Sequence, residues 1–233
     1  MNYWENIDTD LASLVKDGAV KLSPVSKFEW RKEVYEECME EIGSKSYGEN
    51  LNGNKNLIRH MEIKETLTPK LVKIAKEHFG LTVNQTDVYN VTRLVRPGDN
   101  SEGFRGHFDS HLFTLVTPIN IPDVCSIQNG GQLYYFPKVR NLPNNEIKNI
   151  FQKAYYKRFN SASGFEKLGN STKKSIDNFA DYRPLLFVGK TTFHGNAPVQ
   201  QTSNQNRMTI LTHFFDPSHK YGIGALMRKL RNR

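Results

Sequence analysis

The order of elements along the chain predicts an α+β domain with a mainly β core, in which N-terminal helices brace a jelly roll of two facing sheets. Three observations carry that expectation: helical periodicity concentrated before residue 87, short β-branched and aromatic runs after it, and Gly or Pro at the ends of those runs. A chain of 233 residues is long enough to bury a substantial core as a single domain spanning 1–233. It divides into a helical support region (1–86), a jelly-roll core (87–216) with an insert over 138–183, and a basic tail (217–233).

Each element has its own signal. Ser26 with Glu29 three residues on forms a capping box, after which Trp30, Val34, Cys38 and Ile42 recur every fourth residue up to Gly43. The run from Asn50 to Asn56 reads as a polar loop. Thr68 and Pro69 open a second helix with Leu71, Ile74, Ala75 and Phe79 on one side and Gly80 at its end. Asn144 can cap a third, with Ile147, Ile150, Phe151, Ala154 and Tyr155 as its apolar stripe. Strands are expected at Asp87–Val95, Leu112–Ile119, Gln132–Phe136, Leu185–Val188, Thr191–Phe193 and Met208–Phe215.

Bulk properties narrow the function. Hydrophobic content of 37% and charged content of 24% are ordinary for a globular protein, and no apolar run is long enough to span a bilayer. The acidic start, Met1 to Asp10, lacks the basic and then apolar pattern of a signal peptide, so a cytoplasmic location is expected. Cys38 and Cys125 are isolated and read as small buried side chains in a reducing compartment. The net charge of +8 is unevenly placed: residues 138–174 carry +7 and residues 217–233 carry +5, leaving −4 for the rest. A nucleic-acid binder spreads positive charge over a contiguous face, so this distribution argues against one. In the tail, Ile223, Leu226, Met227 and Leu230 alternate with Arg228, Lys229 and Arg231 as in a short amphipathic helix. The insert is longer than an ordinary connection and reads equally as a lid, with joints at Gly164 and Gly169 and a charge suited to an anionic substrate, or as a solvated loop whose lysines keep the protein soluble.

Four residues in order suggest the chemistry. His107 and Asp109 stand at i and i+2, so on a strand both point to one side. His194 supplies a second imidazole, and Arg207 opens the apolar run that ends at Phe215. Two His and one carboxylate on one face of an octahedral metal leave three positions open, the arrangement of non-haem Fe(II) sites that bind an oxo-acid and dioxygen. Arg207 offers a planar fork for a carboxylate, and Thr209, two residues on, faces the same side and can donate a further bond. Taken singly, each His reads more simply as a buried, hydrogen-bonded side chain; the order is what shifts the reading. His60-Met61-Glu62 is a similar triplet, but it precedes a helix and has no apolar strand after it. His111, His213 and His219 fall in no such constellation, and His213 is expected to line the core.

With His107, Asp109, His194 and Arg207 in this order, the chain resembles the Fe(II)- and 2-oxoglutarate-dependent dioxygenase superfamily over most of its length. Leu14 to Leu22 before a helix is similar to the phytanoyl-hydroxylase branch. Tyr89 to Leu94, Phe104 to Asp109, Gly130 to Pro137 and His194 to Val199 resemble the prolyl-hydroxylase branch, from which Leu94 and Arg207 depart, standing where that branch has Tyr and Lys. The resemblance implies a double-stranded β-helix, a cupin-like jelly roll with the iron at its open end. It further implies Fe(II) held by His107, Asp109 and His194, 2-oxoglutarate as cosubstrate anchored by Arg207 and Thr209, O2 as the second cosubstrate and ascorbate as a reductant. The implied reaction hydroxylates an unactivated C–H of a small molecule or a peptidyl residue, releasing succinate and CO2. Oxidative demethylation of nucleic acid is the alternative within the superfamily, although those demethylases carry a second Arg where this chain has His213. Halogenation would require the position of Asp109 to lack a carboxylate. A non-catalytic jelly-roll binding protein would have no need of open metal positions.

Overall fold

The computed structural model describes residues 3–24, 29–45, 47–50 (backbone only), 54–101, 103–122 and 130–216. In chain order these form α1 (Ile7–Asp17), β1 (Ala19–Lys21), α2 (Arg31–Ile42), β2 (Tyr47–Asn50) and α3 (Lys55–His60). A π-helical turn (Ile63–Leu67) then runs into α4 (Thr68–Phe79), followed by β3 (Val88–Val95), β4 (Phe113–Asn120) and β5 (Leu133–Phe136). The insert holds α5 (Glu146–Tyr156), a 3-10 turn (Lys157–Phe159), α6 (Ala162–Gly169) and β6 (Ser175–Asp177). β7 (Leu185–Val188), β8 (Phe193–Asn196) and β9 (Arg207–Phe214) complete the described chain. Among the described residues, no helix is long and apolar enough to cross a membrane.

Two antiparallel sheets result. The larger has the order β1-β7-β4-β9-β3-β2 and the smaller β6-β5-β8, so from β6 onward the chain alternates between them. The period-2 alternation of a strand sorts side chains cleanly. Val116, Leu185, Phe187 and Leu211 of the large sheet turn inward and meet Leu133 and Tyr135 of the small one. Their neighbours Leu115, Leu186, Val188, Met208, Ile210 and Phe214 turn outward and pack with the support helices. Each such side chain contributes about 1.5–3 kcal/mol on burial, and a one-residue slip would exchange the two faces, so register is strongly specified.

The support helices show where local signals held. Trp30, Val34, Cys38 and Ile42 are buried as the four-residue spacing requires, but α2 starts at Arg31 with Trp30 at its N-cap. Ser26 of the expected capping box lies outside the described residues. α4 begins at Thr68 with Pro69 in its first turn, and its final residue is followed by Gly80 at φ 63°. Because the π-helical turn leads directly into α4, its first amides are met by preceding helical carbonyls, and no side-chain cap is present. Of the polar loop expected at Asn50–Asn56, Asn50 ends β2, residues 51–53 lie outside the described residues, and the Asn54 side-chain oxygen caps α3 by accepting from the Leu57 amide at 2.7 Å. α1 was missed, although Ile7, Leu11 and Leu14 recur at helical spacing and all are buried. The second triplet is structural: His60 stacks on Trp30 and bonds Glu33, while Glu62 accepts from the Tyr3 amide. Cys38 is a buried thiol between Thr92 and Asn54, pushed up to about 11 by that burial; Cys125 lies outside the described residues.

The insert departs most from expectation. Asn145, not Asn144, caps α5, accepting from the Lys148 amide at 2.8 Å. The apolar stripe of this helix faces outward, with Ile147 64% and Phe151 72% exposed. The reason lies in what holds the other face. Arg140 donates to Asn149 at 3.0 Å and to Gln152 at 3.3 Å, and the Tyr156 ring stands against Phe108 and Phe193. α6 covers the outer face of the small sheet through Phe165 and Leu168, which pack with Phe136 and Phe193. Gly164 lies within α6, and a Cβ there would lie 2.5 Å from the Phe159 carbonyl oxygen, so glycine permits this close packing.

Candidate metal centre

His107 and His194 are brought together by backbone pairing. The His107 amide donates to the His194 carbonyl at 2.9 Å and the reverse bond spans 3.0 Å. His107 and Asp109 stand just before β4, as expected, with His107 in an isolated bridge, whereas His194 lies within β8 rather than after a strand ending at residue 193. The i, i+2 geometry nonetheless holds on the extended backbone: His107 and Asp109 share one side, while Phe108 turns to the opposite side and joins the aromatic cluster under α5 and α6. Gly106 makes room for this crossing, since a Cβ there would fall 2.2 Å from the Phe193 ring.

The ligand-type atoms of His107, Asp109 and His194 all lie within 4.8 Å of one another. The Nε2 atoms of His107 and His194 stand 3.6 and 3.7 Å from opposite oxygens of Asp109. The other ring nitrogens have carbonyl partners: His107 Nδ1 is 3.1 Å from the Arg105 oxygen and His194 Nδ1 is 3.2 Å from the Thr192 oxygen. Nδ1–H therefore points to the backbone in both rings, which aims the Nε2 lone pairs at the space beside the carboxylate. Burial pushes the His194 imidazole down to about 4, so it is neutral at pH 7. Burial works to raise the Asp109 carboxyl, but the neighbouring His194 and His107, which carry charge when protonated, hold it well below the usual carboxylate range.

Behind Asp109 stands a supporting set that the sequence reading did not find. Thr114 Oγ1 donates to Asp109 Oδ2 at 2.6 Å and is 3.1 Å from His213 Nδ1. His213 in turn stacks near His111 and Tyr89, at centroid distances of 4.7 and 5.2 Å. Burial and the neighbouring His213 push His111 down to about 4. Thus His213 does line the interior, but within hydrogen-bond reach of the residue that orients the carboxylate. The only sequence signal was its place on the same face of β9 as Arg207, Thr209 and Leu211. Gly189 completes the set: its carbonyl accepts from the Asp109 amide, and a Cβ would lie 2.9 Å from both Asp109 Cβ and the His111 oxygen. Gly189→Ala is therefore expected to displace the carboxylate. Metal affinity by calorimetry should fall about 10–100-fold, as for other supporting groups, while the melting transition stays cooperative; unchanged affinity would show that the contact yields elsewhere.

Arg207 opens β9 as expected and is 2% exposed. Its Nε has no hydrogen-bond partner, and Nη1 reaches only Thr209 Oγ1 at 3.4 Å. Burial, with a smaller effect of the Arg93 charge, pushes the guanidinium down to about 9. No carboxylate among the described residues forms an ion pair with it. A buried cation in that state fits an incoming anion, and Thr209 stands beside it as a second donor. Arg207 and Thr209 do not line the open cavity; they lie deeper on the inner face of β9, beyond Leu211. The cavity itself, about 740 Å³, is lined by His107 and Asp109 together with residues of β3, β9 and α5.

No family model matches the chain, and no curated protein matches it in sequence. Solved structures do match. A prolyl-4-hydroxylase of Pseudomonas putida superimposes with a TM-score of 0.55 at 12% identity, over 89% of this chain and 97% of that one. EvdO2 of Micromonospora carbonacea var. aurantiaca gives 0.53 at 14% identity, over 93% and 94% of the two chains. SnoN, a non-haem α-ketoglutarate-dependent epimerase from nogalamycin biosynthesis, gives 0.55 at 11% identity, over 90% and 82%. The chain therefore has the fold shared by these proteins, a prolyl-4-hydroxylase and an α-ketoglutarate-dependent epimerase among them.

Proposed function

We propose that the chain is an Fe(II)- and 2-oxoglutarate-dependent oxygenase on a double-stranded β-helix, in which His107, Asp109 and His194 hold the iron and Arg207 with Thr209 anchors the oxo-acid. The observation that carries this reading is the convergence of two Nε2 lone pairs and one carboxylate beside a cavity that His107 and Asp109 line, each fixed from behind. That donor set suits an octahedral metal with open positions. The shared fold with an α-ketoglutarate-dependent enzyme supports the same conclusion.

When bound, Fe(II) and 2-oxoglutarate would supply the oxidising chemistry: one atom of O2 enters a substrate C–H and the other enters succinate as CO2 leaves. The chain's own residues do the rest. The Arg105 and Thr192 carbonyls fix the tautomer and tilt of the two imidazoles. Thr114 holds Asp109 in one rotamer, so its free oxygen lone pairs face the imidazoles. Arg207 and Thr209 pair the distal carboxylate of the oxo-acid in a dry site, where a charge-assisted fork is strong. Val116 and Phe187 pack on the inner face of the large sheet, with Phe187 against the His194 ring, and make that side of the site apolar. The substrate enters from the cavity side, where His107 is 46% exposed in its side chain.

Succinate release with Fe(II), ascorbate and 2-oxoglutarate, against a panel of amino acids, peptides, nucleosides and lipids, tests this directly. Stimulation by one class, abolished by chelator and restored by Fe(II), is expected. No saturable binding of Fe(II) or 2-oxoglutarate to the purified protein would remove the reading.

A further inference from the structure

We infer that the primary substrate is a small molecule bearing a carboxylate or phosphate, and that Lys153 and Lys157 of the insert hold that group across the cavity from the metal centre. The inference takes from the oxygenase reading what is done to the substrate; the recognition of an anion stands on the cavity alone.

Of the nine basic residues between 138 and 174, few face the cavity. Lys173 pairs with Asp17, Lys174 pairs with Glu166 at 2.7 Å, and Arg158 lies over the Tyr155 ring. Arg140 is spent on the Lys190 carbonyl, Asn149 and Gln152. Lys153 and Lys157 alone among them line the cavity that also exposes His107 and Asp109. Lys153 is on the inner side of α5, close enough to feel the charges of Asp109 and Arg140, yet it makes no hydrogen bond or ion pair with any described residue.

The balance of charge in the cavity sharpens this. Arg93 and Arg105 line it too, against two carboxylates. One is Asp109, turned to the imidazoles; the other is Asp99, which accepts from the Ser101 amide and hydroxyl at 2.9 and 2.6 Å. Lys153, half-buried and with no hydrogen bond or ion pair to a described residue, is the cation there best placed to attract an anion. Opposite the lysines, Tyr89, Val91 and Leu211 offer an apolar and aromatic wall. A volume of about 740 Å³ lies within the range of pockets that enclose one small ligand. The inner face of α5 thus supplies the polar recognition while its apolar stripe faces away, which gives the inverted amphipathicity of that helix a purpose.

The experiment uses the full chain loaded with Zn(II), as an inert substitute for Fe(II), and 2-oxoglutarate. Hexanoate and hexyl phosphate are titrated by calorimetry beside hexanamide and hexan-1-ol. At least one anion should bind and the neutral analogues should not, and the tighter anion identifies the head group. Lys153→Met, which keeps the stem and removes the charge, should weaken that anion about tenfold or more. Lys157→Met should act in the same direction, while Lys173→Gln should leave binding unchanged. Equal binding of neutral and anionic probes, no anion binding to the wild type, or full affinity in Lys153→Met overturns the proposal. So does a Lys153→Met variant that loses 2-oxoglutarate instead of the probe. Repeating the titration without metal and oxo-acid separates the two readings: anion binding that persists in a protein unable to take up metal supports this site while the oxygenase reading falls.

Discussion

Asp109→Asn and His194→Ala are each expected to abolish metal-dependent turnover. With three protein ligands, loss of one leaves two, and the remaining pair holds the metal no better than water competes for it. The loss should exceed the roughly 10–100-fold typical of supporting groups, measured by calorimetry with Fe(II) under anaerobic conditions or with an inert divalent ion. Asp109→Asn is the sharper of the two. The amide oxygen can still accept from Thr114, so the rotamer and the fold survive, but the one negative charge of the site is gone. The metal-free variant should melt cooperatively near the wild type. A variant that binds metal normally would mean that the three residues form a hydrogen-bonded cluster and nothing more.

The pairing of His107 with Asp109 was legible in the sequence because its signal is local. His107 and Asp109 stand two apart, and extended backbone of any kind, strand or bridge, puts both on one side. The flanking runs that became β4 and β9 were legible for a similar reason, since β-branched and aromatic residues at period 2 admit few alternatives. What could not be read is whatever depends on a neighbour distant in sequence. Thr114, His213 and Gly189 support Asp109 from three different segments, and none of them carries a mark of that role in its own surroundings.

The α5 stripe failed for a related reason. Apolar spacing at i, i+3 and i+4 fixes which residues share a face but not which way that face turns, and here Arg140 and the Phe108 ring hold the polar side inward. Lys153 and Tyr156 share the inner side of α5, one lining the cavity with His107 and Asp109 and the other in the aromatic cluster beneath. The tail at 217–233 and its amphipathic pattern lie outside the described residues.

Arg207→Met is expected to move affinity and stability in opposite directions. The side chain is almost wholly enclosed, its Nε is unbonded, and its only described polar partner is Thr209 at 3.4 Å. A guanidinium so placed is a cost to the folded protein until an anion arrives. Replacing buried charged groups with apolar ones of similar volume is often neutral or stabilising by about 1–4 kcal/mol, so the ligand-free variant should melt at or above the wild type. With the oxo-acid the sign reverses. Charge-assisted hydrogen bonds contribute about 1.5–3 kcal/mol each, so loss of the fork should raise the apparent KM for 2-oxoglutarate at least about tenfold. Metal affinity should be unchanged, because Arg207 touches none of the three ligands. Thermal melts with and without 2-oxoglutarate show both effects in one experiment: wild type gains stability from the oxo-acid and the variant does not. If the ligand-free variant is instead strongly destabilised, the guanidinium has a structural counter-charge, and the oxo-acid anchor must be sought at Arg93, the next cation along the inner face.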